Sequence, residues 1–264
     1  MKKFAVIGNP ISHSFSPILH NIVYKKLNIK ADYIKIEIVP ENLFKFIQTN
    51  KFNGLNVTIP YKEKVLSMLT EIDKSSKIIG AVNCISGKKG FNTDWMGFLK
   101  SMEINNIKLE GKDCLILGAG GAARAIAYAL YKANARSINF KNRTKKKLNY
   151  ILRWINSFFK NNKINSNPDI IINCTSLGMY PQINESPFEI NNINNNQILI
   201  DTIYNPMITN WLRKGEKKGL KTIGGLDMLI AQALYSINIW FGINTYENID
   251  LTKLKEELKV HYVS

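Results

Sequence analysis

The chain has 264 residues, with 36 Lys+Arg, 20 Asp+Glu and 3 His, a formal charge of +16 and 45% hydrophobic residues. Aromatics and branched aliphatics run along the whole length, which excludes disorder as the dominant state and suits one large domain or two smaller ones. The charge comes from 31 Lys against 5 Arg, beside 32 Asn, the pattern of an AT-rich coding sequence and a solvated basic surface; recognition of nucleic acid would favour the bidentate fork of Arg.

Met1-Lys2-Lys3 and the apolar residues 4–7 imitate the start of a signal peptide, but Gly8-Asn9-Pro10 ends the apolar run too early for one. Residues 4–7 read as a strand, and Ser16-Pro17 as the N-cap and first turn of a helix with Ile18, Ile22, Val23 and Leu27 on one face. Residues 33–38 alternate as a strand does. Helices are then expected over 41–48 and 63–69, strands over 55–58 and 81–85, and a turn over 87–90. Strands separated by helices predict an α/β unit with largely parallel pairing.

A second α/β unit begins near Gly111. Residues 114–117 form a strand that leads through glycines into an Ala-rich helix reaching about Asn134, and further strands fall at 137–140, 170–172, 198–201 and 221–223. The asparagine-rich stretches 161–167 and 191–196 read as loops without function. Residues 228–246 carry no charge, but Gln232, Ser236, Asn238, Gly242 and Asn244 interrupt them, so a buried helix over 226–241 is expected and no membrane span. A last helix covers 251–258. Cys84, Cys114 and Cys174 are odd in number and widely spaced, so no disulfide framework and no metal site is expected. A reducing, cytoplasmic setting fits.

Gly118-Ala119-Gly120-Gly121-Ala122-Ala123 stands between strand and helix, where a dinucleotide fingerprint must stand: one glycine for the tight turn, one for close approach of the pyrophosphate, and a small residue for helix–strand packing. An NAD site places an acid roughly 20 residues further on. Here no Asp or Glu occurs between Asp113 and Asp169, and Lys141-Asn142-Arg143-Thr144-Lys145-Lys146-Lys147 carries five positive charges. A helix N-terminus disfavours cations, so lysines at that point call for an anion, and the 2′-phosphate of NADP supplies one.

Several ordered blocks resemble the shikimate dehydrogenase family: Gly8-Asn9-Pro10-Ile11-Ser12-His13-Ser14-Phe15-Ser16-Pro17, Asn56-Val57-Thr58-Ile59-Pro60-Tyr61-Lys62, Gly80-Ala81-Val82-Asn83 and Asn92-Thr93-Asp94-Trp95-Met96-Gly97. The second half adds the glycine block, Asn142-Arg143-Thr144, Asn173-Cys174-Thr175-Ser176-Leu177-Gly178-Met179, Asp201-Thr202-Ile203-Tyr204-Asn205-Pro206 and Met228-Leu229-Ile230-Ala231-Gln232-Ala233. The residues fit a small polyhydroxy acid: Ser14 and Ser16 lie two apart, as do Asn56 and Thr58, which in extended chain puts each pair on one side.

The resemblance implies two α/β domains with a deep cleft between them. One is a substrate-binding domain over residues 1–98 plus 226–264, the other a Rossmann-like, doubly wound NADP-binding domain over residues 99–225. It implies reversible NADPH-dependent reduction of 3-dehydroshikimate to shikimate, with Lys62 and Asp94 catalytic. Ser14, Ser16 and Tyr204 would meet the substrate carboxylate, and Asn56, Thr58, Lys62, Asn83, Asp94 and Gln232 its hydroxyls. The cofactor would meet Gly118, Ala119, Gly120, Gly121, Ala122 and Ala123, then Asn142, Arg143, Thr144 and Lys147, and at the nicotinamide end Thr175, Met179, Ile203 and Gly225. Lys147 stands where many relatives carry Arg, Cys174 where Ala is common, and Asp227 near a stretch that is often glycine.

A small-molecule enzyme acting as monomer or homodimer is expected, with no nucleic-acid or membrane partner. The rivals are a quinate/shikimate dehydrogenase of broader use, for which an acid is expected where 142–147 is basic; a nucleic-acid-binding protein, which calls for interleaved Arg and aromatics; and a non-catalytic paralogue, which would have lost Lys62 or Asp94.

Overall fold

Apolar runs such as Ile170–Asn173 and Ile198–Asp201 have no polar alternation, and the fold buries them on both faces of a sheet. The computed structural model describes residues 1–160, 162, 165 and 167–262. It divides into two compact units, residues 1–97 with 230–264 and residues 98–229.

The first unit starts with β1 (Lys2–Gly8), α1 (Ser16–Lys26), β2 (Ala31–Glu37), α2 (Leu43–Thr49) and β3 (Gly54–Val57). It continues with β4 (Glu71–Ile72), α3 (Lys74–Ile79), β5 (Cys84–Ser86) and β6 (Lys89–Phe91), and α4 (Asp94–Ile104) carries the chain across to the second unit. The six strands run in the order β2-β1-β3-β5-β6-β4. β1 pairs in parallel with β2 and β3, whereas β5 pairs antiparallel with both β3 and β6, so the sheet is mixed rather than largely parallel. Ala5, Ile7, Leu55, Val57, Tyr61, Val65, Val82 and Ile85 form a buried core on this sheet.

Several local expectations change. The N-cap of α1 is Phe15, not Ser16, and it has helical dihedrals (φ −84°, ψ −6°). Ser14 and Ser16 therefore do not lie on extended chain; what joins them is the Ser16 N–H donating to Ser14 Oγ at 3.3 Å. The buried face of α1 is Ser16, Leu19, His20, Val23 and Tyr24 instead of the aliphatic stripe through Ile18 and Ile22. His20 accounts for the shift: its ring stacks on Tyr33 with centroids 3.9 Å apart, so an aromatic cluster rather than a stripe of Ile decides which face packs. Residues 63–69 hold only a 3-10 helix, Lys64–Met68, and the strand expected at 81–85 begins at Cys84. The turn expected over 87–90 is the two-residue turn at Gly87 and Lys88 of a hairpin, and β6 takes up the residues after it.

The second unit contains β7 (Asp113–Leu117), α5 (Gly121–Lys132), β8 (Ser137–Lys141), α6 (Lys145–Phe158), β9 (Ile170–Asn173), β10 (Ile198–Asp201), α7 (Asn210–Lys217) and β11 (Lys221–Ile223). Its five strands run in the order β11-β10-β9-β7-β8, every pair parallel. The chain moves outward from β7 to β8 and then returns to β9 on the other side of β7. This reversal is the switch point of a doubly wound sheet, where ligands bind at the strand C-termini.

The asparagine-rich stretch 161–167 includes residues outside those described, but Asn162 and Asn165 are placed. Asn162 accepts from Ile138 N at 2.8 Å and donates to Ile138 O at 2.9 Å, pairing the free edge of β8 as a neighbouring strand would. Asn165 donates to Asp113 Oδ2 at 2.6 Å, so this segment has a structural role that composition alone did not indicate. The chain returns to the first unit within α8 (Leu226–Phe241) and ends in α9 (Leu251–Lys259). No helix among the described residues is long and apolar enough to cross a membrane.

Candidate active site

In the first unit, a set of polar side chains gathers at one end of the sheet. Lys62 follows the C-terminal end of β3 and is held by its neighbours: Tyr61 is fully buried and donates its hydroxyl to Ile38 O, while Val82 N donates to Lys62 O at 2.8 Å. Asp94 is the first residue of α4, where the helix N-terminus favours a carboxylate, and its N–H donates to Asn92 Oδ1 at 3.1 Å. The Lys62 ammonium lies 2.6 Å from Asp94 Oδ2, with side chains 17% and 6% exposed. This is a charge-assisted contact in a partly dehydrated setting.

Asn83 organises the pair. Its Nδ2 faces Asp94 Oδ1 at 2.8 Å, Thr93 Oγ1 at 3.0 Å and Gln232 Oε1 at 3.4 Å, while its Oδ1 accepts from Thr93 N at 2.6 Å. Asn83 does not end a strand; it precedes β5, which runs against β3 with Cys84 opposite Asn56. The reversed polarity brings the start of β5 to the same end of the sheet as the close of β3, and Val57 N donates to Asn83 O at 2.9 Å.

Asn56 is buried behind this group. Its Oδ1 accepts from Tyr33 OH at 2.7 Å, and its Nδ2 donates to Asn83 O at 3.0 Å and Ser236 Oγ at 2.9 Å. Both amide hydrogens are thus committed within the protein. Thr58 lies just past β3, half-buried, with its N–H on Ile7 O at 2.9 Å. Ser14 is half-buried and Ser16 buried at the start of α1. Glu37 Oε2 accepts from Ile11 N at 3.3 Å, and the Lys35 ammonium donates to Ser12 O, so β2 pins the loop that presents the serines.

Sequence reasoning missed Thr93, Ser236 and Tyr33 as members of this group, and the stacking of His20 on Tyr33. Thr93 lies inside one of the family-like blocks, and Ser236 stands four residues beyond Gln232, on the same helix face. The two remaining residues carry no local signal, since only the fold brings the α1 ring onto β2. His20 Nδ1 pairs with Ser16 O at 2.8 Å, and complete burial lowers its pKa to about 3, so the ring is neutral and packs rather than transfers protons.

In the second unit, β7 runs through Gly118, Ala119 and Gly120 into α5. Gly118 has φ +116°, and a Cβ there would lie 3.0 Å from the Cys174 carbonyl oxygen, so both conformation and packing require glycine. Gly120 is the N-cap of α5 with no side-chain cap, and a Cβ built on it meets nothing within 4 Å. An uncapped helix N-terminus facing open space at the switch point fits a pyrophosphate. Gly121, Ala122 and Ala123 form the first turn of α5, and Ala123 is fully buried.

β8 ends at Lys141, and α6 starts at Lys145 behind Thr144, whose side chain makes no cap bond. Arg143, Thr144, Lys145, Lys146 and Lys147 are exposed, while the Asn142 amide donates to Thr144 O at 3.0 Å and fixes the turn. Lys141 is set apart from this group, its ammonium 4.6 Å from the centre of the Phe188 ring. The cationic cluster at the start of α6 is therefore Arg143 with Lys145, Lys146 and Lys147, at a helix N-terminus that lacks any acid.

At the ends of β9 and β10, Thr175 donates to Asn173 Oδ1 at 2.7 Å, Met179 is exposed beside Gly178, and Ile203 is buried. A Cβ on Gly225 would run into the Thr202 carbonyl, so this glycine is needed for the approach of two backbones. Tyr204 is half-buried in the second unit. Asp227 is buried and accepts from Asn105 at 2.9 Å, which ties it into the fold rather than into an open pocket.

The family model described as shikimate dehydrogenase substrate binding domain matches residues 6–85, and one described as NADP oxidoreductase coenzyme F420-dependent matches residues 114–205. The shikimate dehydrogenase (NADP(+)) of Caldicellulosiruptor saccharolyticus is 39% identical over 274 residues, covering 97% of this chain and 98% of that protein. A crystal structure of a shikimate dehydrogenase in complex with NADP+ superposes with a TM-score of 0.91 at 35% identity, covering 100% of this chain and 96% of the other. The Thermus thermophilus enzyme in complex with NADP(H) and shikimate gives a TM-score of 0.87 at 30% identity, covering 98% and 99%. Relatedness of this degree along almost the whole length, on a fold with the expected doubly wound unit, shows that the chain belongs to the shikimate dehydrogenase family.

Proposed function

We propose that the protein catalyses the reversible NADPH-dependent reduction of 3-dehydroshikimate to shikimate, a step of aromatic amino acid biosynthesis. The observation that carries this is the Lys62–Asp94 pair at 2.6 Å, set among neutral hydrogen-bonding groups of one unit. Such a lining pairs with the hydroxyls of a polyhydroxy acid, whereas an apolar ligand would leave it unsatisfied. Substrate binding is assigned to residues 1–98 with 226–264, and NADP binding to residues 99–225.

NADPH, when bound, supplies the hydride for the keto carbon. The Lys62 ammonium stabilises the negative charge that develops on the keto oxygen and donates its proton there. Asp94 holds the ammonium in place and accepts a hydrogen bond from the reacting hydroxyl. The two act together, since the Lys62 ammonium donates a hydrogen bond to Asp94 Oδ2. Ser14 and Ser16 take the substrate carboxylate, and Thr58, Asn83 and Gln232 take hydroxyls. Asn56 contributes by holding Asn83, as its committed amide requires.

Arg143 and Lys147, with Asn142 and Thr144, take the 2′-phosphate. Charge-assisted bonds of about 1.5–3 kcal/mol each make two of them worth a preference of roughly hundreds-fold or more over NAD. The partners are small molecules, the compartment is the cytoplasm, and the working form is a monomer or homodimer.

The test is the absorbance of reduced nicotinamide after 3-dehydroshikimate is added to protein with NADPH or with NADH. Oxidation of NADPH with much slower oxidation of NADH is expected. No oxidation would remove the function, and equal rates would remove the role given to residues 142–147. Quinate with each oxidised cofactor separates the broader quinate/shikimate activity.

A further inference from the structure

The block beginning at Asp201 contains one acid, Asp201 itself, and the reaction above gives it no task. Asp201 ends β10, 1% exposed, and the groups that hydrogen-bond to its carboxylate are neutral. Oδ1 accepts from Asn173 Nδ2 at 3.0 Å and from Ile203 N at 3.0 Å, and Oδ2 accepts from Thr209 Oγ1 at 2.9 Å. A buried carboxylate held only by neutral donors is costly. Its pKa is accordingly raised to about 6 by burial, against the pull of these hydrogen bonds.

Each partner belongs to a different segment. Asn173 ends β9, and its own Oδ1 accepts from Thr175 N at 3.0 Å and Thr175 Oγ1 at 2.7 Å, while its Nδ2 also donates to Leu177 O at 3.2 Å. Ile203 starts the loop after β10, and its carbonyl accepts from Gly225 N at 3.0 Å. Thr209 is the N-cap of α7 and accepts from Leu212 N at 3.3 Å. One carboxylate thus fixes the loop 173–177, the loop at 203 and the start of α7, and through Ile203 the turn at Gly225. In a doubly wound sheet these β9 and β10 ends lie on the opposite side of β7 from β8 and its cationic cluster, and so under the nicotinamide half of a dinucleotide.

We propose that Asp201 is a positioning residue for the nicotinamide half of the cofactor site, acting through Asn173 and Ile203, with its acceptor oxygen Oδ1 as the working atom. The inference rests on the NADP assignment above.

Two ligands separate the halves of the site: NADPH, which spans both, and adenosine 2′,5′-bisphosphate, which reaches only the β7–β8 side. Asp201→Ala removes the acceptor, and KM for NADPH is expected to rise and kcat to fall, each about tenfold, while the Kd of adenosine 2′,5′-bisphosphate by calorimetry stays within about twofold. Asp201→Asn can keep Oδ1 toward Asn173 and Ile203 and turn its amide toward Thr209, so it is expected to restore both kinetic constants. Unchanged kinetics in Asp201→Ala overturn the proposal, and so does an equal loss of adenosine 2′,5′-bisphosphate binding, which marks a role in folding the whole unit.

If Asp201→Ala does not fold, Thr209→Val, which keeps the volume and removes the Oδ2 donor together with the cap on Leu212 N, is held to the same criteria with a smaller expected split. Wild-type protein that neither binds adenosine 2′,5′-bisphosphate nor oxidises NADPH would remove the NADP assignment, and this inference with it.

Discussion

The Lys62 ammonium lies 2.6 Å from Asp94 Oδ2, and the carboxylate that holds it has its other oxygen 2.8 Å from the Asn83 amide. The ammonium is thereby aimed by a group that is itself fixed, and positioning of this kind helps only if the ammonium acts in the transition state. Lys62→Met keeps the length of the side chain and removes the charge and the proton. A fall in kcat of about 10²–10⁴ with KM changed far less is expected. A variant that lost affinity for 3-dehydroshikimate but kept kcat would reduce Lys62 to a binding residue.

Much of the second unit was legible because a parallel sheet covered on both faces leaves unbroken apolar runs, as in Ile170–Asn173. The glycines between β7 and α5 and the boundaries of Leu226–Phe241 were legible for similarly local reasons. The three-residue strand β6 was not, and of β5 only a strand near 81–85 was, because pairing rather than intrinsic preference sets their bounds. The antiparallel direction of β5, which brings Asn83 to Asp94, was therefore hidden as well. α3 was passed over although Asp73, Ser75 and Ser76 form a cap: the Asp73 side chain accepts from both serine N–H groups. The core position of His20 could not be read from α1, since its stacking partner lies on another element.

The basic cluster predicts which cofactor half responds to substitution. Arg143 and Lys147 stand at the uncapped start of α6, opposite no acid of the same turn. Arg143→Ala with Lys147→Ala is expected to lower the ratio of kcat/KM for NADPH over NADH by roughly 100-fold, almost entirely through NADPH. Raising the salt concentration is expected to weaken NADPH binding in the wild type and much less in the double variant. A parallel loss with both cofactors would show that the cluster shapes the loop rather than reads the phosphate.

Asp201 predicts a stability change of defined sign. Its carboxyl is raised from 3.8 to about 6 by burial, so the folded chain holds the proton more tightly than the unfolded one. The contribution of this group is full below pH 3.8 and is lost as the pH rises through about 6. Above that, the wild type carries a buried charge that Asp201→Asn lacks. The Tm of Asp201→Asn is expected to exceed that of the wild type at about pH 8 and to converge with it near pH 4. A lower Tm at about pH 8 would mean that the ionised carboxylate is worth more to its donors than its burial costs.

His20 acts in the opposite sense over an overlapping range. Its pKa falls from 6.5 to about 3 on folding, so as the pH drops below 6.5 the unfolded chain takes up a proton that the folded chain refuses. Stability from this group is full above 6.5 and is lost progressively down to about 3. Between about pH 6 and pH 4 His20 loses stability on acidification while Asp201 gains it, so the two contributions offset each other in the wild type. His20→Phe keeps a ring beside Tyr33 and removes the titration, and the Ser16 carbonyl retains its place at the start of α1. Thermal unfolding of His20→Phe is expected to show a Tm that rises from about pH 7 to pH 5 as Asp201 takes up its proton, and His20→Phe combined with Asp201→Asn the flattest profile. An acid loss in His20→Phe as steep as in the wild type would place the sensitivity on another group.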